Sequence, residues 1–195
     1  TNYTLWEKEF WDLFQEAGAT SFGGVPYTYE MLKKLRFFRM KLPTLRTMTQ
    51  AGGKLLPELH REFAEYVGVP YAAGVNNGTS ALHCAMAALG VGPGDEVIVP
   101  ANTYIATAWG VSYTGATPVF VDCTADTWEI DPDKIEEKIT DKTKGIIGVH
   151  LYGQPFEFSK VKEIADRHGL FVVEDCAQAH GAGYEGRMAG SLGDI

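Results

Sequence analysis

The sequence has little cysteine, no long apolar run and no excess of positive charge. Its three cysteines, Cys84, Cys123 and Cys176, lie far apart and form no CxxC pair. This pattern argues against a disulfide framework and a zinc knuckle, so we expect no metal site and a reducing, cytoplasmic location. No apolar run approaches the roughly 20 residues that a membrane-spanning helix requires. The net charge of −8 argues against nucleic-acid or anionic-membrane partners, because both need a basic surface.

Charge is distributed unevenly along the 195 residues. Residues 1–66 carry nine basic and eight acidic side chains, whereas residues 67–195 carry eight basic and seventeen acidic ones, so the two parts have net charges of +1 and −9. Residues 31–57 contain seven basic residues and no acidic one. That run indicates a solvated basic helix and loop or, alternatively, a surface for phosphate groups. With 45% hydrophobic residues, we expect a packed core in one domain or in parts of two.

The hydrophobic pattern changes near residue 70. Before it, the sequence predicts a short α+β segment with helices at 7–15, 28–38 and 57–67 and strands at 20–22 and 45–49. After it, apolar strands at 71–75, 96–100, 117–121, 145–151 and 170–174 alternate with helices at 80–89, 105–113, 132–139 and 159–168. This alternation, with nearly continuous apolar strands, predicts a parallel sheet covered by helices on both faces.

Polar residues follow the predicted strands, at the edge where parallel sheets bind ligands. Gly78, Thr79 and Ser80 begin a helix after the first strand of this region. Free N–H groups and small hydroxyls at a helix start favour a phosphate site, although an ordinary helix cap has the same residues. Tyr104 follows the next strand and fits either an aromatic that stacks on a flat ring or a core residue.

The last predicted strand ends in a second polar group. Asp175 directly follows an apolar run, where an ionised carboxylate needs a cationic ligand, a salt bridge or a capping role. Gln178 and His180 come next. His180 also fits a hydrogen-bonded structural histidine, and Cys176 fits a small core residue. Together with the phosphate cradle and the aromatic, this group describes a pocket for a phosphorylated aromatic cation. Pyridoxal phosphate fits, since the acid would keep its ring nitrogen protonated.

Several motifs, in order and at family spacing, resemble the N-terminal half of the large domain of the DegT/StrS family, over residues 67–195. These are pyridoxal-phosphate aminotransferases that act on keto-sugars and keto-cyclitols. The matching segments are NNGTSAL at 76–82, GPGDEVIVP at 92–100, TYIAT at 103–107, PVFVD at 118–122, VHLYG at 149–153, VEDCAQAHG at 173–181 and GSLGDI at 190–195.

The resemblance implies an α/β fold, a partial three-layer sandwich of the aspartate-aminotransferase-like type. It assigns catalytic roles to Asp175, which would pair with the ring nitrogen of pyridoxal phosphate, and to His180, which would lie close to it. The resemblance also assigns cofactor binding to Asp175 and to five further residues. Gly78, Thr79 and Ser80 would bind the phosphate, Tyr104 would stack on the ring, and Gln178 would lie near the phenolic oxygen. It further implies a keto-sugar substrate, an amino-acid donor such as glutamate or glutamine, and a homodimer.

One element of the family is expected outside this sequence. The lysine that binds the cofactor covalently would lie about 10 residues beyond Ile195, and without it the chain alone is expected to be inactive. Within the family, a histidine in place of that lysine marks sugar dehydratases. A dehydratase of the same fold is therefore an alternative to the aminotransferase.

Residues 1–66 resemble a different family. The segments ATSFGGVPYTY at 19–29 and LRTMTQAGGKL at 45–55 are similar to the interior of AMP-forming acyl-adenylating ligases. The glycine-rich phosphate loop and the Tyr-Gly-x-Thr-Glu-like motif of that superfamily are absent. We therefore interpret the chain as two incomplete pieces joined near residues 61–66, with an acyl-ligase fragment first. An aminotransferase with a diverged N-terminus is the alternative.

Overall fold

A computed structural model describes residues 21–24, 47–50 and 57–195, with backbone alone for the first two segments and for Pro57. The chain divides into two compact units, residues 1–76 and 77–195. In the first unit, strands β1 (Ser21–Gly24) and β2 (Thr47–Gln50) pair in parallel. Helix α1 spans Pro57–Val67, as predicted. The predicted helices at 7–15 and 28–38 lie outside the described residues.

The second unit is built on a four-stranded parallel sheet. Its strands are β3 (Glu96–Pro100), β4 (Thr117–Val121), β5 (Thr143–Val149) and β6 (Phe171–Asp175), in the spatial order β4-β3-β5-β6. Val97, Ile98 and Val99 have no exposed surface. Successive side chains of a strand point to opposite faces, so both faces of the sheet are buried. This confirms the predicted parallel sheet.

Helices cover the two faces of the sheet. On one face, α2 (Gly78–Ala88) and α3 (Ala106–Ser112) pack through Leu82, Met86 and Val111 against alternate strand residues. On the other face, α4 (Phe158–His168) packs against Ile98, Ile146 and Val172. The result is the three-layer α/β/α arrangement that the sequence predicted.

Two predicted elements were wrong. Residues 71–75 form no ladder with any described strand, and Tyr71 is 89% exposed, so this apolar segment has no neighbour to make it a strand. The predicted helix at 132–139 begins as expected, with Asp131 capping Asp133 N–H. It then forms two 3₁₀ turns, Pro132–Lys134 and Glu136–Lys138, in which Ile135 N–H and Ile139 N–H donate to carbonyls three residues earlier.

The outer edge of β6 is occupied by the last residues of the chain. Asp194 N–H donates to Val172 O at 2.8 Å, and Glu174 N–H donates to Ile195 O at 2.9 Å. A hairpin of β7 (Gly183–Tyr184) and β8 (Arg187–Met188), which the sequence did not predict, lies between β6 and this segment in the chain. None of the helices in the described part of the chain is long and apolar enough to cross a membrane.

Gly148 in β5 provides space for a core aromatic ring. A Cβ atom at this position would lie 2.2 Å from the Phe156 ring, and that ring stacks on His150 with centroids 4.6 Å apart. We expect Gly148→Ala to lower the free energy of unfolding by about 1–3 kcal/mol, because the ring must move. Urea denaturation measures the change. Gly92→Ala is the control, since its Cβ would have no neighbour within 4 Å; equal stability of the two variants would contradict the steric account.

Candidate functional site

The polar residues singled out from the sequence gather at the carboxyl edge of the sheet. Asp175 is the last residue of β6, and Tyr104 is the fourth residue after the end of β3. Helix α2 connects to the start of β3 through the short segment 89–95 and packs along the sheet, so it runs against the strands and its N-terminus lies at the same edge. One strand, β5, separates β3 from β6, which places their ends about 10 Å apart at ordinary strand spacing.

The start of α2 has free hydrogen-bond donors. Asn77 caps the helix, and its Oδ1 accepts from Ser80 N–H at 2.8 Å. The N–H groups of Gly78 and Thr79 donate no hydrogen bond to any described residue, nor do the two hydroxyls of Thr79 and Ser80. A Cβ at Gly78 would meet nothing within 4 Å. The capping interpretation thus holds for Asn77, while the three residues after it keep the donors that an anion such as phosphate would use.

Tyr104 is a surface residue and not part of the core. It is 75% exposed, which contradicts the core alternative and leaves its ring face accessible. The segment before it is tied to the loop after β4, because Asn102 Nδ2–H donates to Trp128 O at 2.7 Å. Trp128, with a left-handed φ of 63°, is also exposed.

Asp175 is a partly buried carboxylate without a counter-ion. It forms no ion pair with any described residue, and its one side-chain hydrogen bond is the 3.1 Å contact from Ala177 N–H to Oδ1. Burial raises the pKa of Asp175, against the lowering effects of this hydrogen bond, His150 and His180. The salt-bridge alternative therefore fails for the described residues. A cation beside Oδ2 would relieve the cost of burying the charge.

Gln178 and His180 follow on the same loop. Gln178 Oε1 accepts from Tyr152 N–H at 2.6 Å, so the amide is held by the turn after β5. Burial lowers the pKa of His180, although the nearby Asp175 carboxylate raises it. The structure thus brings Asp175, Gln178 and His180 together, and His180 is a neutral imidazole near neutral pH.

The sequence analysis missed a buried pair beneath this loop. The side chains of His150 and Glu174 have no exposed surface, and His150 Nε2 lies 2.9 Å from Glu174 Oε2. His150 Nδ1 accepts from Phe156 N–H, so the ring proton is on Nε2, which donates to the carboxylate. Glu174 also accepts backbone N–H groups from Gly190, Leu192 and Gly193 at 2.7–2.9 Å.

These four hydrogen bonds decide the ionisation of Glu174. Burial opposes the charge, but the His150 hydrogen bond and the three backbone N–H groups outweigh it and hold the pKa of Glu174 below its usual range. Cys176 lies close by, and the ligand atoms of His150, Glu174 and Cys176 are all within 4.8 Å of one another. His150 and Glu174 are already hydrogen-bonded to each other and to backbone N–H groups. Burial raises the pKa of the Cys176 thiol. We therefore interpret the cluster as a support for the loop.

Glu129 is the second residue that the sequence did not reveal. It is 3% exposed, and its Oε1 accepts from Leu151 N–H at 3.1 Å. Oε2 is buried and has no hydrogen-bond partner among the described residues. Burial raises the pKa of Glu129 to about 8, against the lowering effect of the Leu151 hydrogen bond. A single polar residue between Trp128 and Ile130 gives no periodic signal of burial, so only the packed structure shows it.

Comparison with known proteins identifies a family and several relatives. Residues 40–195 match the DegT/DnrJ/EryC1/StrS aminotransferase family. The chain is 52% identical over 143 residues to a dTDP-3-amino-3,6-dideoxy-alpha-D-galactopyranose transaminase of Aneurinibacillus thermoaerophilus, covering 73% of this chain and 39% of that protein. The chain spans about two fifths of the length of the curated relatives it matches.

The chain also resembles solved structures. The crystal structure of S. venezuelae DesV in complex with a ketimine intermediate is 51% identical, with a TM-score of 0.69, over 72% of this chain and 38% of that one. The structure of NtdA from Bacillus subtilis with bound cofactor PMP is 40% identical, with a TM-score of 0.66, over 71% of this chain and 32% of that one.

The Glu174 carboxylate should be a large contributor to stability. Both oxygens of Glu174 accept hydrogen bonds. In Glu174→Gln, an NH₂ group would replace one of these oxygens and face N–H donors. We expect a loss of about 3 kcal/mol in the free energy of unfolding, because buried donors would lose a charged acceptor. Urea denaturation at neutral pH measures it, with the exposed Glu163→Gln in α4 as control. A loss no greater than that of the control would contradict this role.

Glu129 should make stability depend on pH. Folding raises its pKa from 4.5 to about 8, so between these values the folded state holds a proton that the unfolded state has released, and stability falls as pH rises. Glu129→Gln removes this titration. From pH 5 to 8 we expect the variant to gain stability relative to the parent by about 1.4 kcal/mol per pH unit. Denaturant midpoints across this range give the difference, and the exposed Glu137→Gln should run parallel to the parent.

Proposed function

The chain belongs to the DegT/DnrJ/EryC1/StrS aminotransferase family, and from this we propose that its protein uses pyridoxal phosphate to transfer an amino group to a keto-sugar or keto-cyclitol. The relative from Aneurinibacillus thermoaerophilus is named for an amino-sugar transaminase reaction. The observation that best supports the proposal is Asp175, a partly buried carboxylate that pairs with no cation among the described residues. It lies at the sheet edge where the start of α2 presents N–H groups that no described residue accepts.

The start of α2 would bind the phosphate of the cofactor. The N–H groups of Gly78 and Thr79 carry no other hydrogen bond among the described residues. The helix dipole adds a partial positive charge at this end. The hydroxyls of Thr79 and Ser80 would donate to further phosphate oxygens. The residues present therefore fit an anionic group here.

Asp175 would hold the ring. Pyridoxal phosphate, when bound, supplies an electron sink for the bonding electrons left when an amino-acid substrate loses its α-proton. The Asp175 carboxylate, which burial destabilises as a lone anion, would keep a proton on the pyridine nitrogen and gain a counter-ion in return. The phosphate site and Asp175 would then fix the cofactor at both of its ends.

Three further residues would complete the site. Tyr104, with its exposed ring, would stack on the cofactor ring. Gln178 would donate from its amide nitrogen to the phenolic oxygen, since its Oε1 is already bonded to Tyr152 N–H. His180 would act near the cofactor as a neutral imidazole, because burial lowers its pKa.

We also propose the partners and location that the family resemblance implies. These are glutamate or glutamine as amino donor, a second copy of the protein as partner, and a cytoplasmic location. Supporting the second copy, large apolar side chains that are 42–56% exposed recur every four residues at α3: Ile105 just before the helix, Trp109 within it and Tyr113 just after it. Such an apolar stripe is typical of a protein interface. The free state of all three cysteines supports a reducing compartment.

The sugar dehydratase remains an alternative on the same cofactor site. The residue at the position of the cofactor-binding lysine would decide between amino transfer and dehydration, and reading about 20 residues beyond Ile195 would identify it.

The acyl-ligase origin of residues 1–66 also stays a proposal, with a boundary to the aminotransferase part at residue 67. The family match begins within this segment, at residue 40. ATP–pyrophosphate exchange tests for ligase activity, and we expect none from this chain, because the glycine-rich phosphate loop of that superfamily is absent from the sequence.

Asp175→Asn tests the central role of the site. The asparagine is nearly isosteric but neutral, so it would no longer favour the protonated ring nitrogen. In the enzyme that contains this chain, we expect single-turnover amino-group transfer to slow by about 10²–10³-fold, or ~3–4 kcal/mol. Cofactor affinity should fall less, because the phosphate contacts remain. The exposed Asp141→Asn is the control. If Asp175→Asn transfers within about threefold of the parent, Asp175 is not the partner of the ring nitrogen.

A further inference from the structure

We propose that Glu129 is a positioning residue that, through the turn Leu151–Gly153, sets which end of the Gln178 side-chain amide faces a ligand. The proposal rests on the proposed function for the identity of that ligand, the phenolic oxygen of pyridoxal phosphate. Its structural part, a mechanical link between Glu129 and Gln178, concerns this chain alone.

Hydrogen bonds connect all four segments that follow the strands of the sheet. Asn102, after β3, donates to Trp128 O in the loop after β4. Glu129, in that loop, accepts from Leu151 N–H after β5. Tyr152 N–H then donates to Gln178 Oε1 after β6. Each contact joins residues 22 to 26 positions apart, so the carboxyl edge is tied together by side chains where no ladder continues.

The turn in the middle of this series depends on its anchors. Tyr152 has φ 55° and ψ 18°, a left-handed conformation that disfavours residues other than glycine. Its side chain is 79% exposed, so packing of the ring does not hold the conformation. Besides the hydrogen bond within the turn from Gln154 N–H to Leu151 O, two contacts to other segments anchor it, from the consecutive N–H groups of Leu151 and Tyr152 to Glu129 and Gln178 respectively. Loss of either acceptor should therefore loosen the other contact.

Glu129 is itself held firmly. Its carbonyl oxygen accepts from Thr124 N–H at 2.9 Å, and its side chain is 3% exposed. Among the described residues, its carboxyl group makes one hydrogen bond, with Leu151 N–H. Burial also raises the pKa of Glu129 to about 8, against the lowering effect of the Leu151 hydrogen bond. Glutamine has the same shape and keeps an acceptor oxygen, so Glu129→Gln should preserve the contact.

The orientation of the Gln178 amide determines what it can bind. With Oε1 bonded to Tyr152 N–H, Nε2 is left with two N–H donors that bond to no described residue. The site would then recognise an oxygen acceptor and not a donor. If the turn loosened, the amide could rotate and present its oxygen to the ligand, which would repel a phenolate.

The test compares the chain with Glu129→Met, Glu129→Gln and Gln178→Ala at pH 7, with the exposed Glu137→Met as control. Hydrogen exchange by NMR reports the Leu151 and Tyr152 amides and the Gln178 side-chain NH₂. We expect Glu129→Met to speed exchange at both backbone amides by about three- to tenfold, the effect of losing one hydrogen bond. In Glu129→Gln, both amides should exchange as slowly as in the parent, because glutamine keeps an acceptor oxygen. Faster exchange at Leu151 alone would overturn the proposal.

Binding of two probes separates this proposal from the proposed function. We expect Glu129→Met to weaken the binding of pyridoxal 5′-phosphate by about three- to tenfold. The affinity for the analogue without the ring hydroxyl should stay unchanged. An equal loss of affinity for both probes would overturn the positioning role. If the enzyme that contains this chain binds neither probe, the cofactor assignment fails and exchange alone decides the link. If Glu129→Met does not fold, Gln178→Ala decides: faster exchange at Leu151 supports the link, and unchanged exchange overturns it.

Discussion

The buried carboxylate of Glu174 is the interaction on which the rest of the site depends. It accepts four hydrogen bonds, from the ring of His150 and from the backbone of Gly190, Leu192 and Gly193. These contacts tie the end of β6 to the end of β5 and to the last segment of the chain. A charge without surface exposure is tolerable only because every bond is made; removing one partner would leave a buried ion unpaired. Asp175, and the loop that carries Gln178 and His180, follow directly after this fixed point.

Neighbouring acids on β6 have opposite roles because the strand alternates its faces. Glu174 is satisfied by protein donors, which lower its pKa. Asp175, one residue later, has a single backbone donor, and burial raises its pKa. One acid therefore supports the structure, and the other has unused capacity for a cation. Hydrogen bonds between the loops after the four strands add a second constraint, since they hold the turn around Tyr152 in a conformation that the backbone alone disfavours.

Much of the fold could be predicted from residue patterns. The apolar runs at 96–100 and 117–121 are the strands β3 and β4 within their predicted bounds. The prediction of a strand at 71–75 was wrong, because a strand needs a neighbouring strand and hydrophobic content does not supply one. The candidate residues Asp175, Gln178 and His180 could be placed together because they follow one strand. Glu129 could not be found, since a lone acid in a loop has no periodicity that would indicate burial.

The sequence by itself determined the order in the chain of the four strands of the main sheet, the family, and which polar residues come after each of these strands, because all of these are local patterns or ordered motifs. Only the tertiary structure decided in which direction the pKa of each acid moves and which acids have all their hydrogen bonds. Glu129, Glu174 and Asp175 have the same chemistry in the sequence, yet they differ in pKa direction or partners once packed. Burial and hydrogen-bond donors set these properties, and they come from residues as distant in the chain as Leu151 and Gly193, which only folding brings into contact.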